Sequence, residues 1–179
     1  MAAFTKEDAY RDRLDWKILR DGGVALYWRR EFLEQDIKWF QEQGYLTFSL
    51  DCTQWGSSEE MHSELQRTLS FPPYYGRNLN ALNDCLTDLP VPDAGGTVLI
   101  LRQFDVYMKG AGADPLASGR PEAEGVLDVL TGASRYFLLT ARRFLILVQT
   151  DDAHTHFERL GCVAAQWNQR EWLNKDRGL

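Results

Sequence analysis

Apolar positions along the chain change their period repeatedly, and each change marks an element. From Arg30 to Gln43 the residues Leu33, Ile37 and Phe40 recur at three- and four-residue steps, which predicts a helix that Gly44 stops. The period then shortens: Leu46, Phe48 and Leu50 alternate with Tyr45, Thr47 and Ser49, the pattern of a strand with one covered face. Ser57 with Glu60 three residues later is a capping box, and Met61, Leu65 and Leu69 line one side of the helix it opens, which Phe71-Pro-Pro ends. Thr97–Leu101 and Phe144–Val148 are continuous apolar runs of the kind found in strands buried on both faces. Between them, Pro121 starts a helix with a core stripe of Val126, Val129, Leu130, Ala133 and Phe137. Alternation of strands and helices favours an α/β fold with a parallel sheet and covering helices.

Three segments are read from local signals. Trp16–Leu19 and Val24–Trp28 flank Arg20-Asp21-Gly22-Gly23, which predicts a hairpin with glycine at the turn. Residues 109–119 are rich in Gly, Ala and Pro and are expected to form a mobile loop; their glycines lack the Lys-Ser or Lys-Thr of a phosphate cradle. In the tail, Val163–Trp167 is compatible with one more strand.

The helix expected after Asn78 stands apart. Leu79, Leu82, Leu86 and Leu89 form its buried stripe, while Asn80, Asn83, Asp84, Thr87 and Asp88 form one continuous opposite face. A solvated helix face usually interleaves Lys and Glu four apart, whereas this one has no cation and carries short amides, a hydroxyl and carboxylates. Asn and Asp are mediocre helix formers, each costing roughly a few tenths of a kcal/mol, so something other than helix propensity favours them. Asn78 suits an N-cap, Gly76 a turn, one of Tyr74 and Tyr75 a packing role beneath the helix, and Cys85 a semi-buried thiol between the two stripes.

Composition narrows the function. With 179 residues and 44% hydrophobic content the chain is read as a single domain, 1–179. A formal net charge of −6 argues against nucleic-acid binding and leaves basic proteins as partners. Cys52, Cys85 and Cys162 have no metal-like spacing and read as reduced core residues of a cytoplasmic protein. The charged start and the lack of a long apolar run predict no signal peptide and no membrane span. His154 and His156, in DDAHTHF, lack metal-ligand spacing and are expected to be exposed near a helix start. Asp93, Asp105 and Asp128 form no recognisable acid and base pair, and with no nucleophile motif the chain is not expected to be an enzyme or to carry a cofactor or metal. Trp16, Trp28, Trp167 and Trp172 are expected to pin the two ends to the body.

The stretch Tyr74-Tyr75-Gly76, Asn78-Leu79, Ala81-Leu82 and Asp84-Cys85-Leu86-Thr87 resembles the barstar family of intracellular ribonuclease inhibitors, as does Arg102-Gln103-Phe104 after an apolar strand. The resemblance covers roughly residues 45–150 and implies a small three-stranded parallel sheet packed with helices, with 1–44 and 151–179 as additions. It implies that Tyr74, Gly76, Asn78, Asn80, Asn83, Asp84, Thr87 and Asp88 form a partner-binding surface that plugs the basic cleft of a ribonuclease or nuclease toxin, as an immunity protein or antitoxin of bacteria does. Asp84 matches the family's central aspartate, which mimics a phosphate. The chain departs from the family at Asn80, where an aspartate is expected, at Asn83, where a tryptophan is expected, and near Gly132, where a glutamate is missing. Those losses leave a second reading open, an interaction module that keeps the fold without inhibiting a nuclease.

Overall fold

A computed structural model describes residues 3–10, 12–161 and 163–179; Cys162 therefore lies outside the described residues. Helices α1 (Lys6–Tyr10) and α2 (Leu14–Arg20) precede strand β1 (Val24–Tyr27), followed by α3 (Arg30–Glu42) and β2 (Tyr45–Asp51). Then come α4 (Ser58–Leu69), α5 (Leu79–Thr87), β3 (Gly96–Arg102), the short α6 (Phe104–Lys109), α7 (Glu122–Leu139), β4 (Phe144–Gln149) and β5 (Gln166–Trp167). The strands form one parallel sheet in the order β2-β3-β4-β1-β5.

The sheet lies between two helical layers. On one face, Ile18 and Leu19 of α2 and Leu33, Ile37 and Phe40 of α3 pack on Tyr27, Val98, Ile100, Leu145 and Leu147. On the other, Met61 and Leu65 of α4, Leu82 and Leu86 of α5, and Val126, Leu130 and Phe137 of α7 pack on Leu50, Leu99, Leu101, Ile146 and Val148. Strands β3 and β4 are buried along nearly their whole length, as their unbroken apolar sequences require. At the sheet edge, β2 buries Tyr45 and Leu50 but leaves Leu46 exposed, so its alternation covers only part of the expected face.

Several sequence expectations are corrected. No hairpin forms near the N-terminus: Trp16–Leu19 lies in α2, and β1 pairs parallel with β4 and β5. A four-residue apolar run does not distinguish strand from helix, and the Gly-Gly pair serves a helix-to-strand turn instead. Gly23, at φ +85°, could not carry a side chain, because a Cβ would fall 2.1 Å from Ser134 Oγ. The sheet has five strands where three were expected, since β1 and β5 from the terminal segments extend it. Residues 109–119 hold a 3-10 turn at Ala111–Ala113, and Pro115 bridges to Pro121; Gly112 is buried so closely against Tyr107 and Ala123 that a Cβ would lie within 3 Å of both. His154 and His156 are exposed, but no helix starts there. Of the tryptophans assigned to pin the ends, Trp172 is 49% exposed; Trp16, Trp28 and Trp167 are half-buried, and Arg177 stacks over Trp167 at 4.4 Å.

Trp167 packs against the core, and polar anchors also tie the ends down. Asp15, wholly buried on α2, accepts from Tyr45 Oη at 2.5 Å and from the Arg13 guanidinium at 2.7 Å. Glu171, also fully buried, accepts the backbone N–H groups of Trp28 and Arg29 at 3.0 and 2.7 Å. No helix among the described residues is long and apolar enough to cross a membrane.

Candidate protein-binding face

The loop into α5 is built on a buried aromatic floor. Tyr75 is 5% exposed, packs on Phe71 at 5.1 Å and shares a 2.5 Å hydrogen bond with His62 Nδ1, while its neighbour Tyr74 stands 85% exposed. Burial pushes the Tyr75 hydroxyl pKa up and the His62 imidazole down, so both are held neutral beneath the loop. The positive backbone angle of the turn falls on Arg77, φ 48°, and not on Gly76. Gly76 lies close to the helix start: a Cβ there would come 3.2 Å from Asn78 Nδ2.

Asn78 is the N-cap. Its Oδ1 accepts from Ala81 N–H at 2.9 Å and its Nδ2 donates to the Gly76 carbonyl at 3.0 Å, so the side chain is committed to the loop. Beyond it, Leu82 and Leu86 are buried and Leu79 and Leu89 half-buried, which turns the opposite face outward. Asn80, Asn83, Asp84 and Asp88 are exposed, and no side-chain hydrogen bond or ion pair among the described residues engages them. Thr87 spends its hydroxyl on the Asp84 carbonyl at 2.8 Å. The arrangement presents two unpaired carboxylates and two free amides from a rigid helix, with Tyr74 beside them. Such a surface can accept charge-assisted hydrogen bonds from a basic partner.

Cys85 is half-buried, and burial followed by the charges of Asp84 and Asp88 raises its pKa, which removes the thiolate a nucleophile needs. No group of three or more His, Cys, Asp or Glu among the described residues is arranged to hold a metal.

Two features escaped the sequence reading. Arg77, at the rim, pairs with Glu59 at 2.8 Å, placing one internally compensated cation beside the acidic face. Crevices also flank α5. One of about 310 Å³ runs under Tyr74, Asp84 and Asp88 over an apolar floor that includes Phe71 and Leu89. The other, about 530 Å³, lies between Asn80 and the Leu116–Ser118 turn. Its wall includes Glu122, whose oxygens accept from Ser58 Oγ at 2.6 Å and Tyr107 Oη at 2.9 Å. These partners are distant in sequence, so no local pattern announces them.

A parallel α/β sheet covered by helices displays the cation-free polar face of α5. The family model described as "Barstar (barnase inhibitor)" matches residues 45–149, more than half the chain, and the chain belongs to that family. It is also 42% identical over 59 residues to the "Putative ribonuclease inhibitor YrdF" of Bacillus subtilis (strain 168), an alignment covering 31% of this chain and 58% of that relative. Among solved structures, "Structure of Drosophila ORC bound to AT-rich DNA and Cdc6" matches 81% of this chain and 47% of that one, with a TM-score of 0.46 and 14% identity, a likeness too low to carry an argument. The family match spans β2 to β4, so α1 to α3, β1 and β5 lie outside it.

Proposed function

We propose that the chain is a ribonuclease inhibitor that lays the outer face of α5 and the Tyr74–Asn78 loop into the active-site cleft of its target. The observation that carries this reading is the pair of unpaired carboxylates, Asp84 and Asp88, with the free amides of Asn80 and Asn83, on a helix within the family-matched segment. Asp84 occupies the place where substrate phosphate would bind. A ribonuclease cleft is basic, so an acidic plug gains both steering during encounter and charge-assisted bonds on docking. The net charge of −6 adds to the steering. The target is the cell's own secreted enzyme or a delivered nuclease toxin, met in the cytoplasm, and the chain itself performs no catalysis. Amides at positions 80 and 83 make the partner one that reads hydrogen bonds around Asp84 as well as charge.

Titration of the full chain into a panel of basic secreted bacterial ribonucleases tests this. Stoichiometric block of at least one enzyme is expected, weakening as salt rises. Asp84→Ala should lose about 1.5–3 kcal/mol of affinity for that enzyme, roughly tenfold or more. No block anywhere in a broad panel would favour the non-inhibitory interaction module, which the absence of the family's aspartate and tryptophan at Asn80 and Asn83 independently motivates.

A further inference from the structure

The two terminal segments outside the family match meet at one flank of the sheet and line a half-open cavity of about 250 Å³. Its apolar floor is Ile18 of α2 with Ala25 of β1, which share one face of the sheet and are at most 6% exposed. Asp36 of α3 stands in the wall and is 9% exposed. Its Oδ2 accepts from Tyr27 Oη at 2.8 Å and forms an ion pair with Arg170 Nη2 at 2.6 Å, whereas no bond among the described residues reaches Oδ1. Trp172, half-exposed, also lines the cavity.

Charge decides what kind of molecule fits. Both lining cations are already engaged: Lys17 pairs with Asp12 at 2.5 Å and donates to Gln169 at 2.8 Å, and Arg170 holds Asp36 and donates to Gln35 at 2.7 Å. A third lining carboxylate, Asp21, is paired with Arg20, which lies outside the cavity. The lining thus offers spare acceptors and no free cation, so a phosphate or carboxylate would be desolvated there without a partner. A dry cavity of about 150 Å³ accommodates benzene, and this one is larger, enough for a two-ring body.

We propose that this cavity is a binding site for a small flat aromatic amine, its ring on the Ile18–Ala25 floor, its N–H donors on the Asp36 carboxylate and its outer face under Trp172. The site belongs to the terminal segments and does not depend on the inhibitor reading of α5.

Tryptamine and indole-3-acetate share a ring and differ in the sign of the side-chain charge, so they are the probes, used with the full chain in ligand-detected NMR and calorimetry at low salt. Tryptamine should saturate one site with Kd of about 1 mM or tighter, and indole-3-acetate should bind about tenfold more weakly or not at all. Trp172→Ala, at an exposed position that leaves the fold intact, should weaken tryptamine by about fivefold. Asp36→Asn should abolish the preference for the amine. Equal affinity for amine and acid, no saturable binding of tryptamine, or unchanged tryptamine binding in Trp172→Ala would overturn the proposal, and none of these depends on the Asp36 variant folding.

Discussion

At the scale of single residues, the loop that would enter a partner's cleft rests on one buried polar contact, His62 Nδ1 with Tyr75 Oη. Burial depresses the imidazole pKa; Glu122 opposes the shift and Arg77 adds to it. Because the folded value lies below the unfolded one, the unfolded chain binds the extra proton as pH falls. The contribution of His62 is therefore complete above the ordinary imidazole value of about 6.5 and is lost as pH drops through the folded value. Urea unfolding at pH 7.5 and at successively lower pH should show a fall in stability that His62→Asn, which keeps an acceptor or donor near the Tyr75 hydroxyl, reduces. An unchanged slope in the variant would mean that other groups set the acid sensitivity. Tyr75 also shows what a sequence conveys at this scale. Of two adjacent tyrosines one had to pack and one could be exposed, but the burial of Tyr75 depends on His62 and Phe71, and only the fold brings His62 there.

At the scale of elements, α5 is arranged against its own stability. Its last turn contains Asp84, Asp88 caps its C-terminus, and it has no basic residue in that turn, so both carboxylates face the negative end of the helix dipole. Asp88→Asn should raise stability by about 0.3–1 kcal/mol while weakening inhibition of whichever ribonuclease the wild type blocks. Denaturant midpoints and inhibition curves measured on the same preparation check both halves; a destabilised variant would show that Asp88 is structural. This face was legible because helical spacing sorts Leu79, Leu82 and Leu86 from Asn80, Asn83 and Asp84 without help from the rest of the chain. Helices α3, α4 and α7 and strands β3 and β4 were legible for the same reason, being long, periodic or bounded by caps. Helix α2 was not: Trp16–Leu19 is too short to show a period, and its helicity follows from packing Ile18 and Leu19 on the sheet. Strand β5 takes only Gln166–Trp167 of the expected Val163–Trp167, and its pairing with β1, where Asn168 N–H reaches the Leu26 carbonyl at 2.9 Å, is a contact no local pattern encodes. The crevices beside α5 were invisible because loop 116–118 and α5 meet only in the folded chain.

At the scale of the molecule, the terminal segments are continuous with the sheet that carries the family match. Strand β1 sits between β4 and β5, and α2 with α3 covers Val98, Ile100, Leu145 and Leu147, all within the matched segment. A fragment of residues 45–150 would expose that apolar sheet face to water, at roughly 25 cal/mol for each Å² uncovered. It would also leave β4 as an unpaired edge, a template for aggregation. We therefore propose that the chain folds as one cooperative unit. The full protein should unfold in a single transition by far-UV circular dichroism and by tryptophan fluorescence, while the 45–150 fragment should be aggregated or largely unfolded under the same conditions. Glu171 offers a subtler test of the same coupling, since it is wholly buried and holds the backbone of Trp28 and Arg29 from the far end of the chain. Glu171→Ala removes the acceptor of those two N–H groups and of the buried Asn168 Nδ2, and at about 0.5–1.5 kcal/mol for each lost bond the loss should be about 2 kcal/mol or more. If the ends were separable appendages, that loss would appear as an early, partial transition with the main one unmoved. If they belong to the unit, the whole transition shifts to lower denaturant with its slope unchanged.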